Sequence, residues 1–281
     1  CTSFTRKVWG MGKLLFVDIG GTLLDYSNEV PRSAVDAIRK ARAKGHRVYL
    51  SSGRSSAEVT SQLWDIGVDG LIGANGGYVE SAQESVFHRR LSGEETRHIV
   101  EWLYNRGLEF YLESNNGLYA SRGFREASKP VLSRLSEKTD VTVDSMYPDM
   151  FWGASLDRDD VNKISYIFNS QEDLDAAREA FPNLEHTTWG GQTGALFGTI
   201  GVSVNKKIGV DRLLKYLNAD RANTIAFGDS DEDLSLFEAS AYGVAMGEAT
   251  ESLKAAADLV TDAVGQDGLR NAFLKLELID A

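Results

Sequence analysis

Between residues 13 and 80 the chain alternates short, unbroken apolar runs with amphipathic stretches. Residues 14–17 show no polar alternation, which predicts a strand buried on both faces, as in a parallel sheet. The run ends on Asp18, and Gly20-Gly21-Thr22 predicts a sharp turn directly after it. A helix is predicted over 34–44, capped by Ser33 and stopped by Gly45. A strand over 46–50 follows, closed by Ser51-Ser52-Gly53-Arg54, then a helix over 57–64 and a strand over 71–74. Asn75-Gly76-Gly77 predicts a turn, with a hairpin from 78–80 and 86–88. Strand and helix in alternation mean βαβ units and a parallel sheet.

From about 81 to 193 the rhythm changes. A helix over 94–105 precedes an apolar stretch at 108–113, and Asn115-Asn116-Gly117 before Leu118-Tyr119-Ala120 predicts a hairpin. Helices over 124–137 and 172–180 and strands over 151–156, 164–168 and 185–189 complete a segment of paired strands. The βαβ rhythm then returns, with strands at 199–204, 224–227, 242–246 and 259–260 and helices at 208–217, 233–239, 251–256 and 269–276. The fold class is therefore α/β: a doubly wound parallel-sheet core from 11–80 and 194–281, with an α+β domain inserted at 81–193. Residues 1–10 read as a leader or tag, and Met11 as the native start.

Composition narrows the functions. With 42% hydrophobic and 25% charged residues the chain is that of a globular protein. A net charge of −11 argues against nucleic-acid backbones as partners but leaves room for a small anionic metabolite. Cys1 is the only cysteine, so no internal disulfide forms, and a reducing cytoplasm is the default. No stretch approaches the ~20 apolar residues that span a bilayer. Oligomeric state leaves no signal.

Four pieces far apart in sequence belong, in a doubly wound sheet, to one rim. Asp18 ends the first strand, Ser52-Gly53 the second, Lys206 opens a helix, and Asp229 and Asp233 flank a strand end in Gly228-Asp229-Ser230-Asp231-Glu232-Asp233. A carboxylate on a turn can attack phosphorus. A hydroxyl, a glycine amide and a lysine can hold phosphoryl oxygens. Three carboxylates offer the hard oxygen ligands that suit Mg²⁺. Asp25, seven residues after Asp18, reads as a loop cap.

These motifs, with Asn75-Gly76-Gly77, Val244-Ala245-Met246-Gly247 and Asp267-Gly268, resemble the haloacid dehalogenase-like superfamily, in its Cof-type branch with a large α/β cap. The resemblance implies a phosphate-ester hydrolase working through an aspartyl phosphate. Asp18 would be nucleophile and Mg²⁺ ligand, with the Gly20 carbonyl, Asp229 and Asp233 as further ligands. Ser52, Gly53 and Lys206 would hold the phosphate, with Lys206 also catalytic. The family's phosphatases carry a second aspartate where this chain has Gly20; it protonates the leaving oxygen and later activates water. Glu232, placed with the phosphate contacts, stands where the family usually has asparagine. Two other readings stay open. One is a non-catalytic pseudo-phosphatase that binds a phosphorylated metabolite. The other is a sugar kinase of the actin-like class, whose first phosphate loop Asp18-Ile19-Gly20-Gly21-Thr22 also resembles, and which joins two antiparallel strands.

Overall fold

The computed structural model describes residues 12–25, 27–134, 142–190 and 195–280. The expected leader and Met11 lie outside them. The first apolar run forms β1 (Leu14–Asp18), buried along its whole length. α1 (Arg32–Ala43), β2 (Arg47–Ser51), α2 (Ser61–Trp64), β3 (Gly70–Gly73), β4 (Tyr78–Ser81) and β5 (Glu84–His88) follow. The middle of the chain holds α3 (Gly93–Asn105), β6 (Phe110–Ser114), β7 (Leu118–Ala120), α4 (Phe124–Leu132), α5 (Val143–Met146), β8 (Phe151–Trp152), β9 (Val161–Ile167), α6 (Gln171–Ala180), β10 (Glu185–Trp189) and β11 (Phe197–Gly201). The last part is α7 (Lys206–Leu217), β12 (Thr224–Gly228), α8 (Leu234–Ala239), β13 (Tyr242–Ala245), α9 (Glu251–Ala256), β14 (Leu259–Val260) and α10 (Gly268–Lys275).

One sheet runs in the order β14-β13-β12-β1-β2-β3-β4-β5. It is parallel from β14 to β3, and β4 turns back antiparallel to β3. From β1 the chain winds through β2 and β3 on one side, and later through β12, β13 and β14 on the other. The order reverses between β1 and β12, the kind of switch point where open α/β sheets bind ligands at strand carboxyl ends. Phe16, Tyr49, Val210, Leu213 and Leu236 form the core on one face; burying each such side chain is worth roughly 1.5–3 kcal/mol. Phe227 meets Phe273 of α10, with ring centroids 5.1 Å apart.

The second sheet has the order β10-β11-β9-β6-β7-β8 and is antiparallel except for β7 and β8. Ile99 and Leu103 of α3 and Leu174 and Ala177 of α6 pack with Phe110, Leu112, Ile164 and Tyr166 of this sheet. Phe124 and Leu132 of α4 pack with Tyr111 and Phe197. The chain divides into two compact units. One comprises the described residues up to Gly53, Thr60–Phe87 and Asn205 onward; the other comprises Arg54–Val59 and His88–Val204.

Several local readings need correction. The strand expected at 199–204 is β11, which pairs antiparallel with β9 and β10 and so belongs to the second sheet. An unbroken apolar run cannot report which sheet it joins. Ser33 does not cap α1: Pro31 occupies the cap position, and the Ser33 hydroxyl donates to Asp267 Oδ1 at 2.5 Å. The single helix expected over 57–64 is a one-turn 3-10 segment, Ser56–Glu58, followed by the short α2. Glu58 accepts from the Ser55 amide at 2.7 Å, and Ser56 N donates to Asn115 Oδ1, so the segment is held by the second unit. The helix expected over 124–137 ends at Leu132, and residues 135–137 lie outside the described residues. The strand expected over 151–156 is only two residues long. Among the described residues no helix is long and apolar enough to cross a membrane.

Candidate active site

Parallel pairing brings the expected pieces to one end of the first sheet. Asp18 is paired with Ser51, so Ser52 lies just beyond the end of β2, next to β1. Val17 is paired with Phe227, which puts Gly228 and Asp229 at the corresponding end of β12. Asn205 caps α7 by accepting from Ile208 N at 3.1 Å, and that start places Lys206 in the first helical position.

Lys206 is 1% exposed, yet it carries a charge because two carboxylates meet it. Its Nζ donates to Asp18 Oδ1 and to Asp233 Oδ1, both at 2.6 Å. Burial works against the ammonium, but Asp18 and Asp233 outweigh it and hold its pKa above the ordinary lysine value. Asp233, fully buried, turns its other oxygen to the amides of Asp229 and Ser230, at 3.0 and 3.2 Å. Oxygens of Asp18, Asp229 and Asp233 all lie within 4.8 Å of one another. Desolvation first, and then Asp233, raise Asp18 well above the carboxylate range and push Asp229 up to about 6. One ammonium does not balance three carboxylates in a nearly closed site. Hard oxygen donors in negative excess fit a divalent cation, whose binding relieves that repulsion.

Two glycines are required by close approach. Gly21 has φ +75°, and a Cβ there would lie 2.1 Å from Asp229 Oδ2. Gly76 has φ +94°, and its Cβ would lie 1.9 Å from the Asn205 carbonyl oxygen, directly before Lys206. The Asn75-Gly76-Gly77 turn thus seats the start of α7. Gly76→Ala is expected to cost at least ~2 kcal/mol, since backbone cannot yield as a flexible side chain does. Denaturant unfolding checks this, and an unchanged midpoint would contradict the packing.

Of the other expected residues, Ser52 is buried and Gly53 half-buried at the end of β2. Gly20 is exposed, and a Cβ there would meet nothing within 4 Å. Glu232 is exposed and not among the three clustered carboxylates. Asp25 Oδ1 accepts from the amides of Ser27 and Glu29, at 2.8 and 2.9 Å, and so caps its loop. Sequence reasoning passed over a polar row in the second sheet; Glu113, directly after Phe110-Tyr111-Leu112, was the available signal.

The chain matches the family model for haloacid dehalogenase-like hydrolases over residues 15–273. It is 26% identical to the phosphatase YwpJ of Bacillus subtilis over 269 residues, covering 89% of this chain and 94% of that protein. A crystal structure of a Geobacillus kaustophilus HTA426 protein superposes with a TM-score of 0.80 at 25% identity, covering 96% of this chain and all of that one. The subclass IIB sugar phosphatase BT4131 gives a TM-score of 0.75, also at 25% identity, over 95% of this chain and all of the other. With a parallel-sheet core, an inserted second unit and a family match over nearly its whole length, the chain belongs to the haloacid dehalogenase-like hydrolases.

Proposed function

We propose that the chain is a phosphatase of a small phosphorylated metabolite, a sugar phosphate or a related polyol phosphate, and that it works with Mg²⁺. The observation that carries this reading is the buried contact of Lys206 with both Asp18 and Asp233, beside Asp229. Asp18 attacks phosphorus through a carboxylate oxygen, the ester oxygen departs, and water then cleaves the aspartyl phosphate to release inorganic phosphate. Lys206 holds Asp18 in place and offers its remaining proton to a phosphoryl oxygen. The Ser52 hydroxyl and the Gly53 amide hold the other phosphoryl oxygens. Asp18, Asp229, Asp233 and the Gly20 carbonyl form the ligand set for the cation, which when bound supplies positive charge against the phosphoryl group. Glu232, exposed and anionic, is given no contact to phosphate.

The relatives named above support this reading, and so does the topology. β1 and β2 are parallel with α1 between them, whereas the phosphate loop of actin-like kinases joins antiparallel strands. Gly20 favours a second reading in one respect: without a proton carrier beside Asp18, turnover is slow, and binding without turnover is the limit of that behaviour. Hydrolysis of p-nitrophenyl phosphate with and without Mg²⁺ separates the two. The expected result is Mg²⁺-dependent release of p-nitrophenolate, abolished in Asp18→Asn with no loss of melting temperature, because the substitution removes one of three crowded negative charges. Turnover retained by Asp18→Asn would remove the nucleophile from the proposal.

A further inference from the structure

Along α1, residues at i, i+4, i+7 and i+8 share a face, which lines up Arg32, Asp36, Arg39 and Lys40. α10 packs against α1, and Arg270 stands in its first turn. The Ser33 hydroxyl ties the two helices by donating to Asp267, the residue before α10. Between them lies a cavity of about 560 Å³, a volume typical of small-ligand sites. Arg32, Arg39, Lys40 and Arg270 line it, against the two carboxylates of Asp36 and Asp267.

That positive excess runs against the composition, in which 41 acidic residues outnumber 30 basic ones. Arg42 and Lys44, outside the cavity, have carboxylate partners: Asp69 at 2.7 Å and Asp280 at 2.9 Å. Inside it the pattern reverses. Among the described residues the side chains of Lys40 and Arg270 have no hydrogen-bond or ion-pair partner. Arg39 spends its guanidinium on neutral acceptors, donating to the Ile66 and Asp65 carbonyls at 3.2 and 2.9 Å. Those bonds hold the group in place and leave its charge unbalanced. Arg32 reaches Asp36 only at 4.0 Å, with side chains 95% and 58% exposed. A pair so exposed holds little energy and yields to a stronger anion.

We infer that this cavity binds an oligophosphate, the linear row of phosphoryl groups found in inorganic triphosphate and in nucleoside triphosphates. Guanidinium forks and an ammonium suit phosphoryl oxygens. From Arg32 to Lys40 the cations extend over ~12 Å of helix axis, which matches a row of phosphoryl groups better than a single one. Among the described residues no aromatic or branched aliphatic side chain lines the cavity, so an attached nucleoside gains no contact there. The site shares no residue with the Asp18 cluster and does not depend on the phosphatase reading.

The test is calorimetric titration of the native chain with inorganic triphosphate, in EDTA to keep metal from the Asp18 cluster. Triphosphate is expected to bind at least about tenfold more tightly than orthophosphate, and ATP to match triphosphate. Lys40→Gln combined with Arg270→Gln is expected to weaken triphosphate at least about tenfold, and Asp36→Asn, which removes an opposing carboxylate, to tighten it about threefold. Lys40 is exposed and Arg270 half-buried, so the double variant should keep the native melting temperature and the native rate with p-nitrophenyl phosphate. Binding of triphosphate without ATP would retain the site and assign it to free oligophosphate. Equal affinity of the native chain and the double variant for triphosphate, or triphosphate bound no more tightly than orthophosphate, would overturn the inference. A native chain that binds triphosphate here but hydrolyses no phosphate ester would refute the phosphatase reading and retain this site.

Discussion

Replacing Gly20 by aspartate is expected to raise kcat for an alkyl phosphate monoester by about 10²–10⁴-fold, the range supplied by a positioned general acid or base. The backbone imposes no obstacle. Gly20 is exposed, its φ lies outside the left-handed region, and a Cβ there meets nothing within 4 Å. In the proposed mechanism the native chain would release an alkoxide with solvent as the proton source at this position, and water would then attack the aspartyl phosphate unassisted. The two half-reactions suffer differently with different leaving groups. A p-nitrophenolate leaves without a proton, so with that ester the native chain is expected to show a burst of about one equivalent followed by slow turnover. Gly20→Asp removes the burst by accelerating the second step. Rapid-mixing absorbance with p-nitrophenyl phosphate, together with phosphate release from an alkyl ester, measures both effects. If Gly20→Asp changes neither, another group of this chain already carries the proton.

Much of this site was legible in the sequence because its chemistry sits where strands end. An apolar run that stops on a carboxylate marks a strand end, and parallel pairing then brings Asp18, Ser52 and Asp229 to one edge. Lys206 was singled out by the family resemblance, while the helix was expected only from 208; the Asn205 cap moves its start to Lys206. What remained hidden depended on distant partners. The run at 196–201 is as apolar as a core strand, yet Gly198 leaves the space that the Tyr166 ring of β9 occupies, and this fixes β11 in the second sheet. Glu58 looked like a helical position, but its partners Ser55 and Tyr147 lie in the second unit. Ser33 looked like a cap until Asp267, 234 residues away, took its hydroxyl. The polar row of Tyr111, Glu113, Lys163 and Ser165 needs the strand register before its members become neighbours. Local signals therefore reported element ends and turns well, and sheet membership poorly.

The second large effect is on stability. Lys206→Met is expected to destabilise the chain by about 3–5 kcal/mol in EDTA at pH 8, the loss typical of removing one partner from a buried ion pair. Methionine fills similar volume, so the loss is electrostatic: Asp18 and Asp233, 8% and 0% exposed, would face each other without their shared ammonium. A fall in melting temperature on the order of 10 °C follows for a chain of this size. The pH dependence has a definite sign. Asp18 already titrates above the ordinary carboxylate range, and losing Lys206 raises it further, because Lys206 is the group that lowers it. Between the unfolded and folded pKa values the native state holds a proton that the unfolded chain has released, so stability falls as pH rises through that window. The deficit of Lys206→Met should therefore be smaller at pH 4, where the carboxyl is protonated in the folded chain and about half protonated in the unfolded one, and grow toward pH 8. Mg²⁺ held, as proposed, by the assembled carboxylates alone should at millimolar concentration restore part of the loss in the variant through mass action. Thermal unfolding of both chains at pH 4 and 8, with EDTA or Mg²⁺, reads all three effects. A Lys206→Met chain as stable as the parent in EDTA at pH 8 would mean that the Asp18–Lys206–Asp233 contact is absent in solution.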